Sequence, residues 1–361
     1  MQMRKTKGLR AVALAALIAL IVYIQPFSWG DVRSWSEKAA LVAAGMQHPQ
    51  GAVLALSEQI HAAQPTEAAS STTATTPVAV GATAAATRVT NAAPPPRSDK
   101  GGTVVEQMLD VGTPVVERVA WHNRSGETLD IPAQFAHQPD IALKNGAQPQ
   151  VLIVHTHTSE AYLTYDAGYY NDSDAARTGD TTQSVVAVGE EIARQLKAAG
   201  IGVIHDKTVH DSPQYTGAYD RAAKTIQKNL KQYPTIQIVL DIHRDAIMPD
   251  NHTKIKPTVT IDGRKAAQVM IIAGAVSTED QPHPYWQENL RLALQLQNAL
   301  ATRYEGLVRP LSVVASRYNE HLTKGSLLIE VGTDANTVAE TLYSGELLGK
   351  TLAGVCQTLK E

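Results

Sequence analysis

From residue 150 onward the chain alternates two hydrophobic periods. Val151 to Val154 form an uninterrupted apolar run that ends in His155 and His157, with Glu160 three residues further on. SVVAVGEEIARQLKAAG (184–200) has helical spacing in Val185, Val188, Ile192 and Leu196, with Gly200 as its stop. IGVIHD (201–206) reads as a second strand, and 217–232 as a second helix. IQIVLDIHRDA (236–246) is an apolar strand ending at Asp241, His243 and Arg244. PTVTIDG and AAQVMIIAG predict a strand pair around Asp262-Gly263. Residues 287–304 predict a third helix, SLLIEVG (326–332) a last strand carrying Glu330, and 336–359 a closing helix. Alternation of this kind predicts an α/β fold: a mostly parallel sheet with helices on both faces. No internal repeat is visible.

The N-terminal part has a different texture. Arg4, Lys5, Lys7 and Arg10 precede the apolar run 11–24, which Gln25-Pro26-Phe27 closes. With its flanks, this run approaches the ~20 residues of a membrane-crossing helix. Basic residues ahead of it predict a cytoplasmic N-terminus and an exported remainder. A cleaved signal peptide is the alternative, but no small-residue cleavage box follows Ile24, which favours an uncleaved anchor. Residues 31–62 show weak amphipathic spacing. From 63 to 103, Ala, Thr, Ser and Pro dominate, so this stretch cannot bury enough apolar surface to order itself and reads as a flexible linker. Residues 104–149 carry short apolar runs and the turn signal Lys144-Asn145-Gly146. The organisation expected is an anchor (1–30), a juxtamembrane segment and linker (31–103), and an extracytoplasmic domain (104–361).

A net charge of −3 on 361 residues gives no support for a nucleic-acid partner. One cysteine, Cys356, excludes an intramolecular disulfide and a multi-cysteine zinc site; it lies among apolar residues of the closing helix and reads as inert core.

The chemistry gathers at strand ends, where α/β folds place their sites. A catalytic zinc takes about three His, Asp or Glu ligands and keeps one position open. His155, His157, Glu160, His243 and Glu330 offer that set from three strands. In an extended strand, His155 and His157 would share one face. Arg244 reads either as a salt bridge at the sheet edge or as a clamp on a substrate carboxylate or polarised carbonyl. His205, Asp206, His210 and Asp211 follow another strand and read as structural or groove contacts, with a second metal as the weaker alternative. Tyr162, Tyr165, Tyr169, Tyr170, Tyr215 and Tyr219 line a groove or pack under their own loops.

HTHTSEAY, SVVAVG with GIGVIHD, LDIHRDA and LLIEVGTDANT, falling in that order over residues 104–361, together resemble the stage II sporulation protein P family of endospore-forming bacteria. The anchor and linker fit it too. The resemblance implies an amidase-like fold and a Zn2+-dependent hydrolase, related to the N-acetylmuramoyl-L-alanine amidases, that cleaves peptidoglycan during forespore engulfment. It implies amidase activity at the muramoyl-alanine bond and endopeptidase activity on stem-peptide crosslinks. His243 is then a zinc ligand and Glu330 the general base, ionised at rest. His157 is the first ligand, with His155 behind it. The related amidases' glutamate ahead of the first helix is replaced here by Asp180, so Asp180 or Glu160 supplies the third ligand; Glu160 could instead orient a histidine. The resemblance also implies a cytoplasmic-membrane location, with a lytic transglycosylase and a multi-spanning membrane protein as partners. Two other readings stay open: a catalytically silent peptidoglycan-binding scaffold, and a zinc hydrolase of some other amide.

Overall fold

The structure, a computed structural model, describes residues 89–144, 146 and 148–360. The expected anchor and the linker up to residue 88 lie outside the described residues, as does part of the Lys144–Gly146 turn. Among the described residues, no helix is long and apolar enough to cross a membrane.

The strands are β1 (Gly102–Gln107), β2 (Trp121–Arg124), β3 (Pro149–Val154), β4 (Tyr169–Tyr170), β5 (Gly202–His205), β6 (Ile238–Asp245), β7 (Thr253–Ile261), β8 (Arg264–Ala267), β9 (Val269–Gly274), β10 (Leu311–Val314) and β11 (Gly325–Thr333). The helices are α1 (Ile131–Phe135), α2 (Val185–Ala198), α3 (Ala218–Gln232), α4 (Trp286–Arg303) and α5 (Val338–Thr358). Seven strands form the main sheet, in the order β2-β10-β9-β11-β6-β3-β5, and β4-β1-β7-β8 form a second.

Helix ends follow local chemistry. Ser184 caps α2 by accepting from the Val186 amide, and Gly200 leaves the helix at φ 75°. Thr337 and Glu340 form a reciprocal capping box on α5. Alternation along the central strands sorts side chains between two cores. Val151 and Ile153 of β3 and Ile238, Leu240 and Ile242 of β6 enter the main core with α2, α4 and α5. Leu152, Val154 and Val239 pack on the other side with Ile226 of α3. Helices therefore cover both faces, as the alternation predicts.

The expectation of one mostly parallel sheet needs correction. The main sheet is mixed, because β9 runs antiparallel to β11 while its other pairings are parallel. The hairpin at Asp262-Gly263 does form, joining β7 to β8. The apolar run after it divides between two sheets at Gln268. This fully buried side chain accepts from the Leu109 amide and donates to the Leu109 and Gly306 carbonyls. Satisfying backbone groups of two other segments lets the chain leave one sheet and enter the other without stranding polar atoms.

The C-terminal stretch of the expected linker does not stand free. Ala92 donates to the Thr164 carbonyl (2.8 Å), Tyr169 to Pro95, and Asn171 to Pro96. Ser98 joins Asn171 and Asp172.

Candidate active site

β6 lies between β3 and β11, so three of the chemistry-bearing strand ends adjoin. The register sets Val154 opposite Asp241, and Glu330 opposite His243. Asp241 and His243 follow Val239 at two-residue steps and so share the α3 side of the sheet. Thr156 fixes Asp241 through its amide (2.8 Å) and its hydroxyl (2.5 Å). Nε2 of His243 lies 2.9 Å from Asp241, an ion-pair distance, yet outside hydrogen-bond geometry, so that nitrogen is buried without a hydrogen-bond partner. On its other side, Nδ1 is 3.5 Å from Glu160.

The loop after β3 brings in His157 and Glu160. His157 stacks on Tyr215 (4.4 Å, 9° between planes) and meets His243 edge-on at 5.3 Å. Its Nδ1 is buried and unpartnered, as is Oε2 of Glu330. Glu160 accepts from the Arg244 backbone amide (3.1 Å).

The charges follow from this crowding. Burial pushes His157 down to about 3, so its ring is neutral at physiological pH. Burial also opposes charge on His243 and Glu160, but each is outweighed by its neighbours. Asp241 and Glu160 hold His243 well above the ordinary histidine value, and His243, His157 and Arg244 hold Glu160 well below the usual carboxylate range. Glu330 is pushed up to about 8 by burial, with Asp245 adding to it. Burial thus favours its protonated carboxyl, against the ionised form expected of a base. Among the described residues, no three His, Cys, Asp or Glu side chains close on one point as a ready metal cage.

His157, Glu160, His243 and Glu330 come together; the remaining candidates do not join them. His155 is separated from His157 because β3 ends at Val154 and residues 156–159 turn, which breaks the alternation expected to put both on one face. Its ring is engaged at both nitrogens, by the Ile242 carbonyl (3.0 Å) and by Nε2 of His205 (2.8 Å). Gly189 of α2 packs against this pair: a Cβ there would sit 2.7 Å from His155 and 2.8 Å from His205. Asp180 is exposed and holds its own turn, accepting from Thr182 and Gln183. Arg244 lies one residue past His243 and points to the opposite face. Its guanidinium donates to the Ala161 (3.0 Å), Ala176 (2.6 Å) and Asp245 (3.4 Å) carbonyls. Of the two readings left open for Arg244, salt bridge or clamp, the structure shows neither as such: its guanidinium braces backbone carbonyls of the loop.

His210 is likewise engaged at both nitrogens, by the His155 carbonyl and Thr225, and Asp211 pairs with Arg177 at 2.7 Å. Tyr162 and Tyr165 pack inward, whereas Tyr215 and Tyr219 face His157. Cys356 is a buried thiol pushed up to about 12 by burial.

Sequence reading passed over Asp241 as a site residue, although Asp-x-His on a strand already places both on one face. It also missed Asp245, which Arg309 holds at 2.9 Å, and Tyr318, whose ring lies 5.5 Å from Tyr219. No local signal announces Arg309 or Tyr318, because the tertiary fold alone brings them here.

What the geometry defines, then, is a mixed α/β domain with a buried His/Glu/Asp junction at adjoining strand ends. The chain belongs to the family described as Stage II sporulation protein P, whose sequence model matches residues 79–353. It is 29% identical over 245 residues to the Stage II sporulation protein P of Bacillus subtilis (strain 168), a match covering 63% of this chain and 57% of that protein. Similar solved structures include an N-acetylmuramyl-L-alanine amidase from Mycobacterium smegmatis (13% identity, 59% of this chain and 99% of that one, TM-score 0.34). Another is the CwlD amidase of Clostridioides difficile, solved with the GerS lipoprotein (12% identity, 58% and 98%, TM-score 0.34). Scores this low establish no common fold.

Proposed function

We propose that this protein is a zinc-dependent peptidoglycan hydrolase of sporulation, cleaving the N-acetylmuramoyl-L-alanine amide and stem-peptide crosslinks during engulfment. One observation carries the reading: His157, Glu160, His243 and Glu330 adjoin at three strand ends, with polar atoms buried and unpartnered among them. Buried polar atoms are ordinarily satisfied, so such a set calls for a ligand.

The residues fit zinc in kind. Two imidazoles and a carboxylate are its usual donors, and Asp241, Glu160 and Glu330 around His243 make a pocket that favours a cation. His157, Glu160 and His243 would hold it. Zinc, when bound, supplies positive charge that polarises the scissile carbonyl, acidifies water and draws Glu330 toward its ionised form. Glu330 is the group that takes a proton from water and returns it to the leaving amine, a task suited to a carboxyl titrating near neutrality. Asp241, held by Thr156, keeps the His243 ring in place. Tyr215, Tyr219 and Tyr318 wall the site. We also propose the single-pass anchor and linker described above, with a lytic transglycosylase and a multi-spanning membrane protein as partners; a mature N-terminus near residue 31 in membrane extracts would count against the anchor.

The test is mass spectrometry of peptidoglycan digested by the full chain, with and without zinc. Muramoyl-alanine cleavage that depends on zinc and disappears in Glu330→Gln supports the reading. Wall binding with no products, unchanged in Glu330→Gln, identifies a silent scaffold instead.

A further inference from the structure

We propose that Tyr215 and Arg177 form a clamp that orients the His157 ring for zinc; this rests on the reading of His157 as a ligand. Metal-binding histidines are usually aimed by a hydrogen bond from their second nitrogen. Nδ1 of His157, buried with no protein partner, is the nitrogen open to a metal. Aromatic contacts hold the ring itself. Tyr215 lies flat on one face at 4.4 Å and 9°. Tyr219 and His243 approach edge-on, at 5.5 Å and 88° and at 5.3 Å and 89°. A stacked partner and two edge partners fix both the plane and the tilt of the imidazole.

Tyr215 is itself held in turn by Arg177. The Arg177 guanidinium sits 4.6 Å from its ring, on a cation–π contact. Arg177 is in turn fixed by Asp211 at 2.7 Å, and Asp211 also accepts from the Ser159 amide and hydroxyl (3.2 and 2.7 Å). The order Asp211, Arg177, Tyr215, His157 links the loop after β3, which supplies Ser159 and His157, and the loop after β4, which supplies Arg177, to the loop before α3, which supplies Asp211 and Tyr215. Tyr215 is therefore a positioning residue. What the clamp asks of Tyr215 is its ring, and that makes it testable.

Zinc affinity is measured in the full-length chain by competition with a chromogenic chelator, alongside thermal unfolding of each zinc-free variant. Tyr215→Phe keeps the ring and is expected to bind zinc as the parent does. Tyr215→Leu, and Tyr215→Met as a second non-stacking variant, are expected to bind roughly three- to tenfold more weakly. Arg177→Met is expected to fall between them, with kcat reduced and KM unchanged in each weakened variant. Parental affinity in folded Tyr215→Leu or Tyr215→Met overturns the clamp, and so does a loss in Tyr215→Phe as large as in Leu. His157→Ala separates the two levels: if it binds zinc as the parent does, the ligand assignment fails, and the clamp with it.

Discussion

Two groups of histidines flank the end of β3, and they differ in how completely they are satisfied. In one, His155 and His210 are engaged at both ring nitrogens, and His205 bridges His155 to Glu190. In the other, His157 and His243 each keep a buried nitrogen without a hydrogen-bond partner. Burial does not separate the groups, since His155 is as deeply enclosed as His157. Hydrogen-bond completeness does. A buried imidazole with both nitrogens engaged is a structural joint, whereas one with an open nitrogen can still take a ligand.

The sharpest way to break the contrast is to remove a member of the unsatisfied group. His243→Ala is expected to lose stoichiometric zinc, read by elemental analysis, and with it nearly all turnover on peptidoglycan. Retention of zinc at parental affinity would reverse the assignment of the two groups.

Glu330 offers the next largest effect, in the stability of the zinc-free protein. Its carboxyl titrates at about 8 when folded, against about 4.5 when unfolded. The folded state thus binds the extra proton between these values, and the stability this confers is complete below pH ~4.5 and lost as pH rises through ~8. Denaturation midpoints should show the wild type losing on the order of a few kcal/mol relative to Glu330→Gln across that window. Parallel curves would place Glu330 in a wetter, less crowded setting.

Asp241→Asn keeps the shape beside His243 and removes the charge. Zinc affinity is expected to fall by about 10–100-fold, as for other groups that orient a ligand, which titration of the purified variant measures. Least of all, His205→Ala should leave zinc affinity untouched while costing about 1–2 kcal/mol in urea denaturation, because Nε2 of His155 loses its partner. A change in zinc affinity there would merge the two groups.

Much of this was legible beforehand, for definable reasons. The strand–helix alternation after residue 150 shows in apolar periodicity, and it brought His243 and Glu330 to neighbouring strand ends as expected. The reversal of β9 was not legible: Ala266 to Gly274 is one apolar run whose only break is Gln268, and nothing local says that a glutamine will be buried against Leu109 and Gly306. At the site, the choice between His155 and His157 hung on where β3 stops, and a turn at 156–159 has no Gly or Pro to mark it. Arg244 could have been placed from the sequence, since a residue adjacent to His243 on a strand faces the other way. Asp180 could not, because helix-by-helix alignment says nothing about the path of the loop ahead of α2.

The hydrogen bonds that tie Ala92, Pro95, Pro96 and Ser98 to residues 164–172 carry a mechanical meaning. Tension reaching the domain along the chain ahead of residue 92 is borne first by these contacts, before it arrives at β1. The stretch so loaded lies in sequence between Glu160 and Arg177. The lead-in segment and the stretch joining β3 to α2 are thereby tied together, so a load on one would be passed to the other.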